Sequence, residues 1–228
     1  MKLSVVIPAA GQGRRMGADK NKQFLLLNGK PILAHTISKF QNCSYINEII
    51  IVAKNQEISY CQKEIVDKYD FDKVKKLIIG GKTRQKSVYN GIKEVSADSN
   101  FVLIHDGARP LLTNQIIENI ITEVVNYQAV AVGVAVKDTI KIVNQDKYIM
   151  DTPKRDNLIA IQTPQCFSKT IILDAYQKAF KENFIGTDSS SLVERLGQRV
   201  KVIEGSYENL KITTPEDLQF AERILFRR

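Results

Sequence analysis

Five short runs rich in β-branched residues recur along the chain, at Leu3 to Ile7, Ile49 to Val52, Leu77 to Ile79, Phe101 to Ile104 and Val130 to Val136. Between them lie longer stretches in which apolar residues return at helical spacing, among them Ile32 to Phe40, Gln85 to Val95 and Gln115 to Tyr127. Near-continuous apolar runs suit strands covered on both faces, and parallel strands need a helix-length crossover between them. The alternation therefore predicts an α/β fold, a mostly parallel sheet flanked by helices. The 228 residues, 43% of them hydrophobic, are enough to bury a substantial core, and no linker or repeat divides them, so one unit over 1–228 is expected.

In such sheets ligands sit beyond the carboxyl ends of the strands, and the residues at those ends are chemically loaded. The first run leads to AAGQGRRMG, the third to GGKTRQKS, the fourth to HDGARP and the fifth to KDTIK. Gly11 and Gly13 either let main-chain N–H groups approach a phosphate closely or serve a turn that needs positive φ. The neighbouring cations favour the anion: Arg14 or Arg15 can donate in pairs, and Lys20 or Lys22 adds point charge, a set suited to a triphosphate. The spacing GxGxxxG departs from the dinucleotide fingerprint GxGxxG, and the P-loop pattern is absent.

At the third strand end Gly80 and Gly81 again offer open backbone, while Arg84 and Ser87 open a helix whose N-terminus favours an anion or polar contacts to a base. In HDGARP, Asp106 either holds a metal or a substrate hydroxyl or caps its turn and pairs with Arg109. The lone histidines His35 and His105 cannot supply the paired ligands of a zinc enzyme; His35, at helical spacing, is read as a partly buried structural residue, and neither is assigned to catalysis. Cys43, Cys61 and Cys166 form no CxxC pair and are read as buried or incidental thiols.

From Thr139 to Ile161 the helical period is lost, and IKIV, NQDK and YIMD read as two short strands around a polar turn. Such a ribbon is marginal alone in water, so this arm, at about 137–160, is expected to pack on a second subunit. Helical signals return at Ser168 to Asn183, VKVIEG supplies a late strand, and a last helix starts at Thr214 with Pro215, Glu216 and Asp217 in its first turn. No window approaches the roughly 18 apolar residues of a membrane span, so a cytoplasmic protein is expected. Lys+Arg 33 against Asp+Glu 25 gives a surface that attracts anions.

Taken together, PAAGQGRRM, KQF, GGKTRQKSV, HDGARP, DTIK, TPQCF, TDSSSLVE and NLKITTPEDL closely resemble the 2-C-methyl-D-erythritol 4-phosphate cytidylyltransferases of the nucleotidyltransferase superfamily, from Pro8 to Leu218. The resemblance implies a Rossmann-like sheet and transfer of the cytidylyl group of CTP to methylerythritol phosphate with loss of pyrophosphate. It implies Arg15, Lys22 and Lys211 as catalytic cations, and Ala9, Ala10, Gly11 and Gly13 around the phosphates. Gly80, Gly81 and Ser87 would read the cytosine edge, Arg84 would belong to the nucleotide site, and Asp106 with Arg109 would lie near ribose, metal and substrate. Thr139 and Arg155 would cross from the partner of a homodimer to grip the polyol phosphate, with Thr163 and Thr187 as further polar contacts. Mg²⁺ is implied, held mainly by nucleotide oxygens, with the side-chain ligand unknown.

Two departures from the common family pattern stand out: Asn21 where a proline often precedes the lysine, and Gly107 where alanine is common, both expected to loosen their loops. The nearest competing activity is a ribitol 5-phosphate cytidylyltransferase, which would share the CTP cradle. An oxidoreductase using NAD lacks its glycine spacing here, and a nucleic-acid binder lacks an aromatic platform or basic recognition helix.

Overall fold

A computed structural model describes residues 1–11 and 21–228 of the protein. The chain enters through β1 (Leu3–Pro8), forms a small hairpin of β2 (Leu26–Leu27) and β3 (Lys30–Pro31), and continues with α1 (Ile32–Gln41) into β4 (Ile46–Ala53). A short helix α2 (Ile58–Tyr60), prolonged by a π-helical stretch Cys61–Asp67, leads to β5 (Val74–Ile79), α3 (Arg84–Lys93), β6 (Phe101–Ile104), α4 (Asn114–Tyr127) and β7 (Ala129–Ala135). After β8 (Ile142–Val143) and β9 (Ile149–Asp151) come β10 (Ile159–Ser168), α5 (Lys169–Lys181), α6 (Ser189–Leu196), β11 (Lys201–Glu204) and α7 (Pro215–Arg227).

Seven strands form one sheet in the order β11-β7-β10-β6-β1-β4-β5. β1 pairs in parallel with β4 and β6, β4 with β5, and β7 with β11, while β10 runs antiparallel to both β6 and β7. From β1 the chain moves outward to β4 and β5, then returns through α3 to β6 on the other side of β1. That reversal opens a crevice beyond the carboxyl end of β1, because the loops on either side leave in opposite directions.

The strands read as continuous apolar runs because both faces are covered. Val5, Ile7, Ile49 and Ile51 bury against one layer with α1 and α4, while Val6, Ile50 and Val52 bury against the other with α3 and α5. A third cluster of Leu27, Ile32, Leu111, Ile212, Ala221 and Ile224 docks α7 and the segment before it near the crevice. The start of α7 follows its sequence signals: Thr214 accepts from the Asp217 N–H as N-cap, with Pro215 in the first turn. Cys61 and Cys166 are buried free thiols, and burial pushes the Cys61 thiol up to about 12. Cys43 is half-buried.

One expectation needs correction. The extended region begun at Thr139 leaves the arm at Leu158, and Ile159–Ser168 is an internal strand of the main sheet. Pro164 reads against a central strand, since it has no N–H to donate. It is accommodated because the β10–β7 register breaks between Ile161 and Gln165, where pairing is interrupted. The two short strands β8 and β9 pair antiparallel around a polar turn, with Tyr148 71% and Met150 65% exposed beside exposed Ile142, Val143 and Ile149. Among the described residues no helix is long and apolar enough to cross a membrane.

Candidate active site

The ends of β1, β4, β5 and β6 wall a cleft of about 700 Å³. Pro8, Ala9, Ala10 and Gly11 line it after β1, Lys54 and Asn55 after β4, Gly80 to Arg84 and Ser87 after β5, and Asp106, Gly107 and Ala108 after β6. Lys22 and Gln23 enter from the 3-10 turn Lys22–Phe24, and Lys211 from the segment before α7.

Local chemistry holds each wall in place. A Cβ at Gly80 would lie 2.7 Å from the Ala10 Cβ, so the loops after β1 and β5 can meet only through glycine. Positive φ belongs to Gly29 and Gly197 among the described glycines, and a Cβ at Gly11 would meet no described atom within 4 Å. Among the described residues nothing packs against position 11, so its backbone is open on that side. The Gly80 N–H donates to the Ala53 carbonyl (2.8 Å) and the Gly81 N–H to Ser87 Oγ (3.0 Å), while Ser87 Oγ donates to the Thr83 carbonyl (2.9 Å). Thr83 caps α3 by accepting from the Lys86 N–H. Lys211 is brought in because the Ile212 N–H donates to the Ala108 carbonyl (2.9 Å) and Ile212 is buried.

Asp106 is the electrostatic centre, with only 10% of its side chain exposed. Arg84 donates to its Oδ1 through Nη2 (2.9 Å) and Nε (3.2 Å), and Lys211 donates to its Oδ2 (2.6 Å). Burial would raise this carboxyl, but the charges of Arg84 and then Lys211 outweigh it and hold Asp106 well below the usual carboxylate range. The alternative pairing of Asp106 with Arg109 is not formed; Arg84 and Lys211 hold the carboxylate. Arg109 Nη1 donates instead to the Asn209 carbonyl (2.6 Å), and its buried Nε has no partner among the described residues.

The remaining candidates separate by position. Thr163 Oγ1 accepts from the Asp106 N–H (3.1 Å), behind the carboxylate. Thr187 is exposed, directly before Asp188, which caps α6. Thr139 and Arg155 are exposed on the arm, where Arg155 Nη1 donates to the Lys137 carbonyl (3.1 Å). None of Arg109, Thr139, Arg155, Thr163 or Thr187 lines the cleft. Gly13, Arg14, Arg15 and Lys20 lie outside the described residues. His105 is fully buried with Nε2–H donating to the Arg109 carbonyl (3.0 Å), and burial lowers its pKa to about 4. His35 Nε2–H donates to the Leu27 carbonyl (2.7 Å). Both histidines thus have structural partners.

Lys54, Asn55, Lys82, Thr83 and Gln23 line the cleft without having been singled out. The signal for Lys54 and Asn55 was the same one that marked the other loops: AKNQE follows the second apolar run, and its strand end faces the crevice like the rest.

A family model described as IspD, 2-C-methyl-D-erythritol 4-phosphate cytidylyltransferase, matches residues 3–227. The chain belongs to this family. It is 51% identical to the 2-C-methyl-D-erythritol 4-phosphate cytidylyltransferase of Caldanaerobacter subterraneus subsp. tengcongensis over 225 residues, covering 99% of each chain. It is 53% identical to the protein of that name from Clostridium acetobutylicum over 220 residues, covering 96% of each. The crystal structure of 4-diphosphocytidyl-2C-methyl-D-erythritol synthase from Anaerococcus prevotii superposes with a TM-score of 0.86 at 35% identity, covering 99% of this chain and 98% of that one. As a member of this cytidylyltransferase family the protein is a nucleotidyltransferase, and its mostly parallel sheet and crevice are the frame on which that chemistry is mounted.

Proposed function

We propose that the protein joins CTP to 2-C-methyl-D-erythritol 4-phosphate, giving 4-diphosphocytidyl-2-C-methyl-D-erythritol and pyrophosphate in the non-mevalonate isoprenoid pathway. A phosphate oxygen of the polyol attacks the α-phosphorus of CTP, and the bond from that phosphorus to the bridging oxygen of the leaving pyrophosphate breaks. The observation that carries the reading is the cleft in which Lys22, Arg84 and Lys211 converge from three distant segments beside glycine backbone at Gly11, Gly80 and Gly81. Two polyanions cannot approach each other until their charge is offset, so positioned cations supply most of the rate in such transfers.

Within this reading Arg15, Lys22 and Lys211 stabilise the charge that builds on the α-phosphoryl oxygens, and Ala9, Ala10, Gly11 and Gly13 surround the phosphates. Asp106 holds Arg84 and Lys211 in place before substrate arrives. Since the N–H groups of Gly80 and Gly81 are engaged, their carbonyls are the acceptors for the amino group of cytosine, the Gly81 carbonyl also accepting from Ser87 Oγ (3.3 Å) and keeping one lone pair, with Ser87 shaping that turn. Arg109, Thr163 and Thr187 serve the polyol phosphate side.

Mg²⁺ is the proposed ion. Among the described residues no group of three His, Cys, Asp or Glu side chains could hold a metal, and both oxygens of Asp106 accept from cations. That donor set fits an ion held mainly by the nucleotide's own oxygens, whose chemistry would be to offset part of the phosphate charge. We further propose a homodimer in which the arm covers its apolar residues and delivers Thr139 and Arg155 to the partner's site, since both are exposed and away from the cleft of their own chain. The enzyme acts in the cytoplasm on water-soluble, charged substrates, with no role for nucleic acid or membrane.

The test is pyrophosphate release from CTP with a panel of polyol phosphates. Turnover with methylerythritol phosphate should exceed that with ribitol 5-phosphate by at least about tenfold in kcat/KM. Preference for ribitol 5-phosphate would reject the substrate, and no CTP-dependent pyrophosphate release would reject the reaction.

A further inference from the structure

Among the described residues the turn that carries Lys22 is held from three directions, and two of the holds, Gln23 and Lys54, are themselves cleft residues. Gln23 Nε2 donates to the Ala9 carbonyl at the end of the first strand, and Phe24 packs edge-on against Tyr60 with ring centroids 4.9 Å apart. The third hold is Lys54, whose Nζ donates to Asn21 Oδ1 at 3.0 Å. Lys54 is not a loose surface lysine. Its side chain is 23% exposed, its Nζ lies 3.9 Å from Glu57 Oε1, and its backbone N–H donates to Glu57 Oε2 at 3.3 Å. The Glu57 N–H returns to the Lys54 carbonyl at 2.9 Å, and Glu57 is buried. Asn21, in turn, accepts the Phe24 N–H on its carbonyl (2.9 Å), so Lys54 grips the residue that starts the turn.

We propose that Lys54 is a positioning residue: its hydrogen bond to Asn21, steadied by Glu57, sets the start of the turn that presents Lys22 to the cleft. This inference rests on the reading of Lys22 as a transition-state cation, and it goes further by naming what aims that cation. A lysine stem is flexible, and in phosphoryl-type transfer a displacement of about 1 Å can lower the rate about 100-fold, so the base of the stem must be fixed. Asn21 thereby gains a side-chain tether, contrary to the loosening expected for a residue standing where proline is common.

A double-mutant cycle tests it. Lys54→Met and Asn21→Leu should each lower kcat about tenfold with KM for CTP changed less than about twofold, and the double variant should lose no more than either alone, since both remove one hydrogen bond. Asn21→Pro should restore most of the rate of Lys54→Met, because the Asn21 backbone at φ −59° and ψ 138° suits proline, whose ring holds it without a partner. Losses that multiply, or a raised KM for CTP with kcat intact, would overturn the proposal and indicate that Lys54 touches the nucleotide directly. Hydrogen exchange on the free protein gives a readout independent of activity. The Phe24 and Leu25 amides, which donate to Asn21 and Lys22, should exchange several-fold faster in Lys54→Met with the Phe101–Ile104 strand unchanged. Unchanged exchange at those amides overturns the proposal. Faster exchange in an enzyme that never turns over CTP supports the tether and counts against the reaction assigned to the cleft.

Discussion

Asp106 and His105 are adjacent, and burial gives them opposite electrical fates. Asp106 stays ionised because two cations reach it, whereas His105, with a carbonyl as its partner, is kept neutral by desolvation. The consequence for stability has a definite sign. The folded pKa of His105 is about 4 against an ordinary 6.5, so between those values the unfolded chain binds a proton that the folded one refuses, and stability falls as pH is lowered through that window. The loss reaches about 3 kcal/mol at most. Asp106, whose pKa is depressed, stabilises above its ordinary 3.8 and loses that contribution only as pH falls further. Urea unfolding at pH 7 and at pH 4.5 should show the decline in the wild type and a flatter response in His105→Gln; equal slopes would mean that His105 takes up its proton in the folded protein. HDGARP was legible as a strand end with chemical groups, but which cation pairs with Asp106 was not, because Arg84 and Lys211 lie 22 and 105 positions away.

At the scale of elements, α3 connects packing to the site, since its first turn carries Arg84 and Ser87. It lies close to the sheet because Gly91 faces β1 and β4: a Cβ there would stand 2.4 Å from Val6 Cγ1 and 3.0 Å from Val52 Cγ2. Alanine is worth about 1 kcal/mol over glycine inside a helix, whereas overpacking a core costs about 1–3 kcal/mol. Gly91→Ala should therefore destabilise the protein by about 1 kcal/mol and lower turnover by shifting Arg84, as read from urea midpoints and pyrophosphate release. A stabilised variant would show that the contact has room to relax. The same scale shows where periodicity runs out. α1, α3 and α4 were visible because one face of each is apolar, while β10 was missed because Gln162, Pro164 and Gln165 interrupt its apolar pattern.

For the whole molecule the proposed dimer is the deciding feature. An arm with Tyr148, Ile149 and Met150 in water is a poor end state for a monomer. Sedimentation equilibrium should give twice the chain mass of 25.8 kDa. If Arg155 acts across the interface, mixing Lys22→Ala with Arg155→Ala should restore activity, because a mixed dimer holds one site with both residues intact. Random exchange would return about a quarter of wild-type turnover. No recovery, with exchange of subunits verified, would mean that each site is complete within one chain.

What the amino-acid order determined by itself was everything that depends on neighbours in the chain: the apolar runs, the helical faces, the Thr214 cap and the loaded loops after the strands. Those features follow from backbone periodicity and local hydrogen bonding, which act over a few residues. Only the tertiary structure decided that β10 runs against the other strands, that Arg84 and Lys211 share one carboxylate, and that Lys54 reaches Asn21. Each of these is a choice among chemically similar partners brought together by sheet order, and a linear pattern carries no distance between residues that meet only after the chain has closed on itself.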